Sequence, residues 1–212
     1  GQDQLDQYRT QMANMGPRAP QSPEDGRIAA TIAQWRSIQQ TDALPFDSYA
    51  SFLMNHPGWP GETGRRKAAE RQASTASPAS AVAYFTRFPP LTSSGRVAQA
   101  RALAAMGRSV EANAAARKAW RMGALSATDE AAIFGQFGPV LTAADHDARV
   151  DELLWQNATS SAAREMAYTS AARRPVFEAR LALLTNAPNA ADIAMTGQGP
   201  YGTDAGFVAD RA

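Results

Sequence analysis

Apolar positions recur along this chain at helical spacing, and turn residues cut the recurrence into short runs. In residues 141–166, Val150, Leu153 and Leu154 stand at the i, i+3 and i+4 positions of one face, and Trp155 widens it. Thr142, with Asp145 three residues on, predicts a capped start for that helix. Asn157 predicts its end, because Asn tolerates the left-handed conformation a C-terminus needs. Ser160 or Ser161 starts a second helix, with Ala163, Met166 and Ala167 inward. Neither helix buries its stripe alone, and similar pairs occur elsewhere, so the pattern predicts a stacked helical array.

The rest of the chain reads the same way. Residues 1–14 predict a polar helix with Leu5, Tyr8 and Met12, and residues 16–23 a Pro-rich linker. A helix over 24–39 aligns Ile28, Ile32, Trp35 and Ile38. Pro45 opens an aromatic face of Phe46, Tyr49, Phe52 and Leu53, stopped at His56-Pro57, and residues 58–61 make a rigid corner. A polar helix over 62–74 carries Arg65, Arg66, Lys67, Glu70 and Arg71. Pro78 starts another, with Val82, Phe85 and Phe88 inward. Thr92 or Ser93 opens a helix with Val97, Ala100, Leu103 and Ala104 inside; Gly107 ends it, and residues 110–122 return antiparallel to Gly123. This helix–Gly–helix unit is tetratricopeptide-like. Ser126 and Asp129 cap a helix bearing Ile133, Phe134 and Phe137, and Pro175 opens one with Val176, Ala179, Leu181 and Leu184. Beyond Thr185 the periodicity fades, apart from a short turn at 190–195 and the first turns of a helix at 206–212. The expected organisation is an arm and linker over 1–23, a helical domain over 24–185, and a Gly/Pro-containing linker over 186–212 leading into a further helix. A helical array whose last unit lacks a polar cap reads as a fragment.

Composition sharpens this picture. About a fifth of the 212 residues are Ala, the best helix former, and aromatics make up only 8%. A thin core suits layers stacked on neighbours rather than packed around one centre. A net charge of +1 supplies no electrostatic footprint for nucleic acid, and no apolar run is long enough to span a bilayer. With no cysteine, disulfides, thiol catalysis and cysteine-ligated metal are excluded.

Candidate chemistry is sparse. His146 lies among Asp145, Asp147 and Asp151, but the acids do not share its face, so a solvated helix start is favoured over a metal site. His56 before Pro57 reads as a packing residue. Asp129/Glu130 and Asp151/Glu152 are consecutive on helices and cannot flank one bond. No Gly-x-Ser-x-Gly elbow occurs. The cations Arg65, Arg66 and Arg71 are candidates for contact with an acidic polymer or glycan, against the reading of a solvated charged face. No cofactor is expected.

One stretch resembles a known family. Residues 34–70, QWRSIQQTDALPFDSYASFLMNHPGWPGETGRRKAAE, are similar to the N-terminal helical region of soluble lytic murein transglycosylases of the alphaproteobacterial type. The matching features are Trp35, Tyr49, Phe52, Leu53, the corner His56-Pro57-Gly58-Trp59-Pro60, and Arg65 through Glu70. Residues 88–120 and 141–157 extend the likeness, the latter through Asp145, His146, Arg149 and Leu153-Leu154-Trp155, with a weaker match over 201–212. The resemblance implies a right-handed superhelix of antiparallel helix pairs, a tetratricopeptide-like solenoid. It implies a periplasmic location and a role in holding peptidoglycan for a separate lysozyme-like domain, which cleaves glycan strands to 1,6-anhydro products. That family's catalytic glutamate stands in a Glu-Ser pair, and no Glu-Ser occurs here. No catalytic or metal residue is therefore expected, and the partners implied are peptidoglycan and the family's lysozyme-like domain. The competing reading is a periplasmic tetratricopeptide-like adaptor that binds proteins. A third, a metal-dependent hydrolase around His146, has little to support it.

Overall fold

The computed structural model describes residues 1–14 and 22–186; the expected linker at 16–21, the turn at 190–195 and the helix start at 206–212 lie outside them. The described residues form eleven α-helices, with no strand among them: α1 (Gln2–Asn14), α2 (Pro23–Gln39), α3 (Phe46–Asn55), α4 (Glu62–Gln72), α5 (Pro78–Arg87), α6 (Ser93–Ala105), α7 (Ser109–Arg121), α8 (Ala127–Phe137), α9 (Ala143–Trp155), α10 (Thr159–Glu165) and α11 (Arg174–Leu184).

Local chemistry sets the boundaries. Ser22, Ser77, Thr92, Ser126 and Thr142 each accept a backbone N–H at a helix start. Ser22-Pro23, expected within the linker, instead caps α2, with Pro at the first helical position where its missing N–H costs nothing. Thr142 and Asp145 close a full capping box. Gly107 (φ 75°), Gly123 (φ 97°) and Asn157 (φ 57°) end helices in the left-handed region. After α6 the Arg108 N–H reaches back to the Leu103 carbonyl and the Gly107 N–H to Ala104, which turns the chain so that α6 and α7 pack as a hairpin.

Packing runs between helices one or two apart in the chain. The helix α3 lies on α4, α5 on α6, α6 on α7, α7 on α9, α9 on α10, and α11 on α9 and α10. The helix α6 also meets α4 and α8, and its buried Gly95, Ala100 and Ala102 permit that crowding. Apolar burial falls into two clusters. One runs from Ile38 to Phe137 and includes Phe46, Tyr49, Phe52, Tyr84 and Trp120. The other runs from Val150 to Ala179 around Leu153, Leu154 and Phe177.

Several inward faces differ from expectation. In α2 only Ile38 is buried, and Ile28 is half exposed. Trp155 is 54% exposed, because it sits on the last turn of α9 and points past the Leu153-Leu154 face. The helix α10 begins at Thr159, before the expected serines, and Ala162, Glu165 and Met166 face inward in place of Ala163 and Ala167. Phe134 and Leu184 are only partly covered. Along α1, Leu5, Tyr8 and Met12 are all exposed.

Candidate functional site

Three places gather polar chemistry. The first is the corner between α3 and α4. Gly58 (φ 82°) and Gly61 (φ 81°) adopt conformations that L side chains rarely take, and a Cβ on Gly61 would stand 2.6 Å from the Gln39 amide. The turn they make points the Pro60 carbonyl at three donors: Trp35 Nε1 at 2.8 Å, Gln39 Nε2 at 3.2 Å and Arg65 Nη1 at 2.5 Å. Arg65 also donates to the Trp59 carbonyl at 2.7 Å and lies over the Phe52 ring at 5.0 Å. His56 packs between Phe52 and Trp59, and Trp59 tilts against Trp35 at 6.1 Å. The structure thus brings together Trp35, His56, Trp59, Pro60 and Arg65, which the sequence singled out. Tyr49 lies apart in the core, its hydroxyl donating to Thr41 O at 3.0 Å and accepting from Leu44 N–H at 3.1 Å.

This geometry corrects the reading of 62–74 as a solvated charged face. Arg65 is 3% exposed and Glu70 3%. Burial lowers the Arg65 guanidinium from its ordinary value, and its donors are spent on carbonyls of the corner. Arg66 reaches the Pro89 carbonyl at 2.6 Å, and Arg71 meets Asp42 at 2.9 Å on the surface. Glu70 accepts from Leu91 N–H, Thr92 N–H and the Thr92 hydroxyl, so an acid of α4 holds the start of α6.

The second place is the seam between the two apolar clusters. Trp120 Nε1–H on α7 faces Glu165 Oε1 of α10 at 3.1 Å and His146 Nδ1 of α9 at 3.2 Å, and His146 Nδ1 contacts the same carboxylate oxygen. Arg149 lies 3.9 Å over the Trp120 ring and donates to Gly123 O at 2.6 Å. Its other face approaches Glu130, which Arg164 holds from outside at 3.1 Å. Tyr168 stacks on His146. Burial lowers the Arg149 guanidinium from its ordinary value, opposed by Glu165 and then Glu130. At the edge of this seam, burial pushes the Asp145 carboxyl up, but the Thr142 N–H, Arg121 and the Thr142 hydroxyl outweigh it and leave the group below the ordinary carboxylate value.

His146 and Asp145 are therefore buried, at 6% and 1%, not the solvated helix start expected. No group of three or more His, Cys, Asp or Glu placed for a metal ion occurs among the described residues. His146 packs against Trp120 and Tyr168, and Glu165 meets both His146 and the Trp120 N–H, so the pair ties α7, α9 and α10 together. Arg149, Leu153 and Leu154 sit at or beside this seam, while Trp155 faces outward. Sequence reasoning missed Glu165, Trp120, Glu70 and Arg180. The first and third had a signal, since each is a carboxylate on the buried stripe of its helix, beside Ala162 and Met166 or beside Ala69 and Ala73. Arg180, fully buried on α11 four residues after Val176, had the same signal in a cation and reaches Asp151 at 2.5 Å.

The third place is open. A groove of about 560 Å³ lies between α4, α6 and α8, floored by Ala98, Ala102 and Val97 and edged by Arg71, Arg101 and Asp129. A second opening of about 520 Å³, lined by Gln39, Asp42 and Gly64, adjoins it at Arg71. Compared with protein-family models, curated proteins and solved structures, the chain matches none of them.

Proposed function

We propose that residues 24–185 are the non-catalytic, superhelical scaffold of a periplasmic lytic transglycosylase, a tetratricopeptide-like solenoid that holds the enzyme on peptidoglycan. Cleavage of the glycan strand to 1,6-anhydro products belongs, in this reading, to a lysozyme-like domain elsewhere in the enzyme. One observation carries the reading. Five of the residues that bear the family resemblance, Trp35, His56, Trp59, Pro60 and Arg65, converge on one corner, where Trp35 and Arg65 both donate to the Pro60 carbonyl and His56 and Trp59 pack beside them; Tyr49 and the matching residues of α9 lie elsewhere. A motif that acts as one structural unit is the kind that persists where a helical pair must be held at a set angle. Packing between helices one or two apart in the chain is also in keeping with a solenoid, whose units contact only the units next to them.

The scaffold role asks nothing catalytic of the chain, in keeping with a sequence that holds no Glu-Ser pair. The test uses purified sacculi. The chain should sediment with them and release no 1,6-anhydro-muropeptide by mass spectrometry, while the full product of its gene should release them. Anhydro product from this chain alone would mean an active site lies within it. Failure to sediment, with no product from the full gene product either, would favour a protein-binding adaptor.

A further inference from the structure

The groove between α4, α6 and α8 has a lining that the scaffold reading leaves unused. Its volume, about 560 Å³, falls in the range of pockets that hold small ligands, roughly 300–1,000 Å³. Of the α6 residues that line it, Ser94, Val97, Ala98, Arg101, Ala102 and Ala105 follow helical spacing and Ala104 adjoins them, so a stripe of α6 is turned to the opening. Their small size makes the depth. Arg101 on α6 and Asp129 on α8 carry opposite charges into the same space. Among the described residues, neither side chain forms an ion pair or a side-chain hydrogen bond. Asp129 accordingly differs from Asp145: both stand third in a helix, but Asp145 closes its capping box and Asp129 does not. Beside them, Gln136 adds an exposed amide, Arg71 a second cation already held by Asp42, and Glu70 a second carboxylate already accepting from Leu91 and Thr92.

We propose that this groove binds a short zwitterionic peptide, with a carboxylate on Arg101, an ammonium on Asp129, and small side chains against the alanine floor. Charge complementarity selects this occupant. A polyanion meets Asp129 and a polycation meets Arg101, each a like-charge contact that disfavours the complex. A neutral glycan offers hydroxyls to both groups but no opposite charge to either, so it gains only the weaker, singly charge-assisted hydrogen bonds. Nor does any aromatic ring line the groove for a sugar face to stack on. The peptide's two charged groups each gain a charge-assisted hydrogen bond, and its backbone amides can meet Gln136 and Ser94. The inference stands on the groove alone and is independent of the scaffold reading.

The test is an NMR titration of the ¹⁵N-labelled 212-residue chain with three probes: trialanine with free termini, trialanine acetylated and amidated at its ends, and a tetramer of N-acetylglucosamine. Free trialanine should shift the amides of Ala98, Arg101, Asp129 and Gln136 saturably. Blocking its ends should weaken binding by about tenfold or more, the equivalent of one charge-assisted hydrogen bond or better. Arg101→Gln and Asp129→Asn should each weaken it by about tenfold at unchanged helical circular dichroism. Arg101 is exposed and Asp129 partly covered, and neither side chain has a hydrogen-bond or ion-pair partner to lose among the described residues, so these two changes leave the fold intact. Ala105→Trp, at an exposed lining position, should block the groove. Three results would overturn the proposal: no saturable shift at millimolar trialanine, equal binding of the blocked peptide, or shifts of the same amides by the sugar tetramer alone. Sedimentation with sacculi is read separately, so failure here leaves that result standing, and the reverse.

Discussion

At the scale of single residues, one interlock decides how closely α4 and α6 approach. The Glu70 carboxylate occupies the space beside Gly95, and a Cβ there would stand 1.9 Å from its Oε1. Gly95→Ala should therefore destabilise the fold by about 1–3 kcal/mol, the usual cost of overpacking. Much of that loss should vanish when Glu70 is also changed to Ala, because the two substitutions share one space. Urea unfolding of the four proteins of this cycle gives the answer; strictly additive losses would mean the contact does not govern the approach. Asp145 supplies a second residue-level test. Its folded-state value is lowered, so its stabilising effect is fully present above the unfolded carboxyl value of about 3.9 and is lost as pH falls through the lower folded value. Asp145→Asn should weaken the protein at pH 7, and the gap to wild type should narrow in acid. A gap in urea midpoints that stays constant from pH 7 to pH 3 would rule this out.

At the scale of elements, arginines act as staples between helices. Arg65 binds carbonyls at the end of the α3–α4 corner, Arg87 the Met54 carbonyl, Arg117 the Val140 carbonyl, and Arg149 the Gly123 carbonyl after α7. Helix ends leave carbonyls unpaired, and a planar guanidinium on a long stem can reach one on the next element. Arg149 also covers the Trp120 ring, so it holds α9 to α7 by two contacts. Arg149→Met should cost about 2–4 kcal/mol by leaving Gly123 O without its side-chain donor, and Arg149→Lys should recover little of it, since an ammonium cannot lie flat on the Trp120 ring while donating to that carbonyl. Thermal unfolding of both variants checks this; full rescue by Lys would show that charge alone matters.

At the scale of the whole molecule, two apolar clusters meet across a polar seam. The Trp120–His146–Glu165 contacts join α7, α9 and α10 there with directional bonds in place of apolar burial. Such a seam sets orientation more strictly than apolar contact, because one misplaced helix would leave a buried carboxylate unpaired. By contrast α1 presents only exposed side chains over residues 2–12. Removal of residues 1–14 should leave the melting temperature within about a degree, since substitutions or losses away from packed features cost less than about 0.5 kcal/mol. A fall of several degrees would mean α1 docks on the body of the protein.

Much of this architecture was legible in the chain. Caps and stops such as Thr142, Gly107, Gly123 and Asn157 act through the few atoms nearest in sequence, so their residue types determine helix ends without any partner. Helical periodicity likewise located the buried faces of α3, α5, α6 and α9. What it could not tell was the fate of charged residues on those faces. Arg65, Glu70 and His146 read as surface groups, yet each is buried because groups from another part of the chain meet it, and the same holds for Glu165 and Arg180. The groove is decided in the same way: Ser94, Arg101 and Asp129 are ordinary helix-surface residues until α4, α6 and α8 are set side by side. The sequence by itself determined where helices begin, end and turn their apolar stripes, because those are local effects. Only the tertiary structure decided which charges were paired inside and which were left facing an opening, because a charge is buried or bare according to groups distant along the chain.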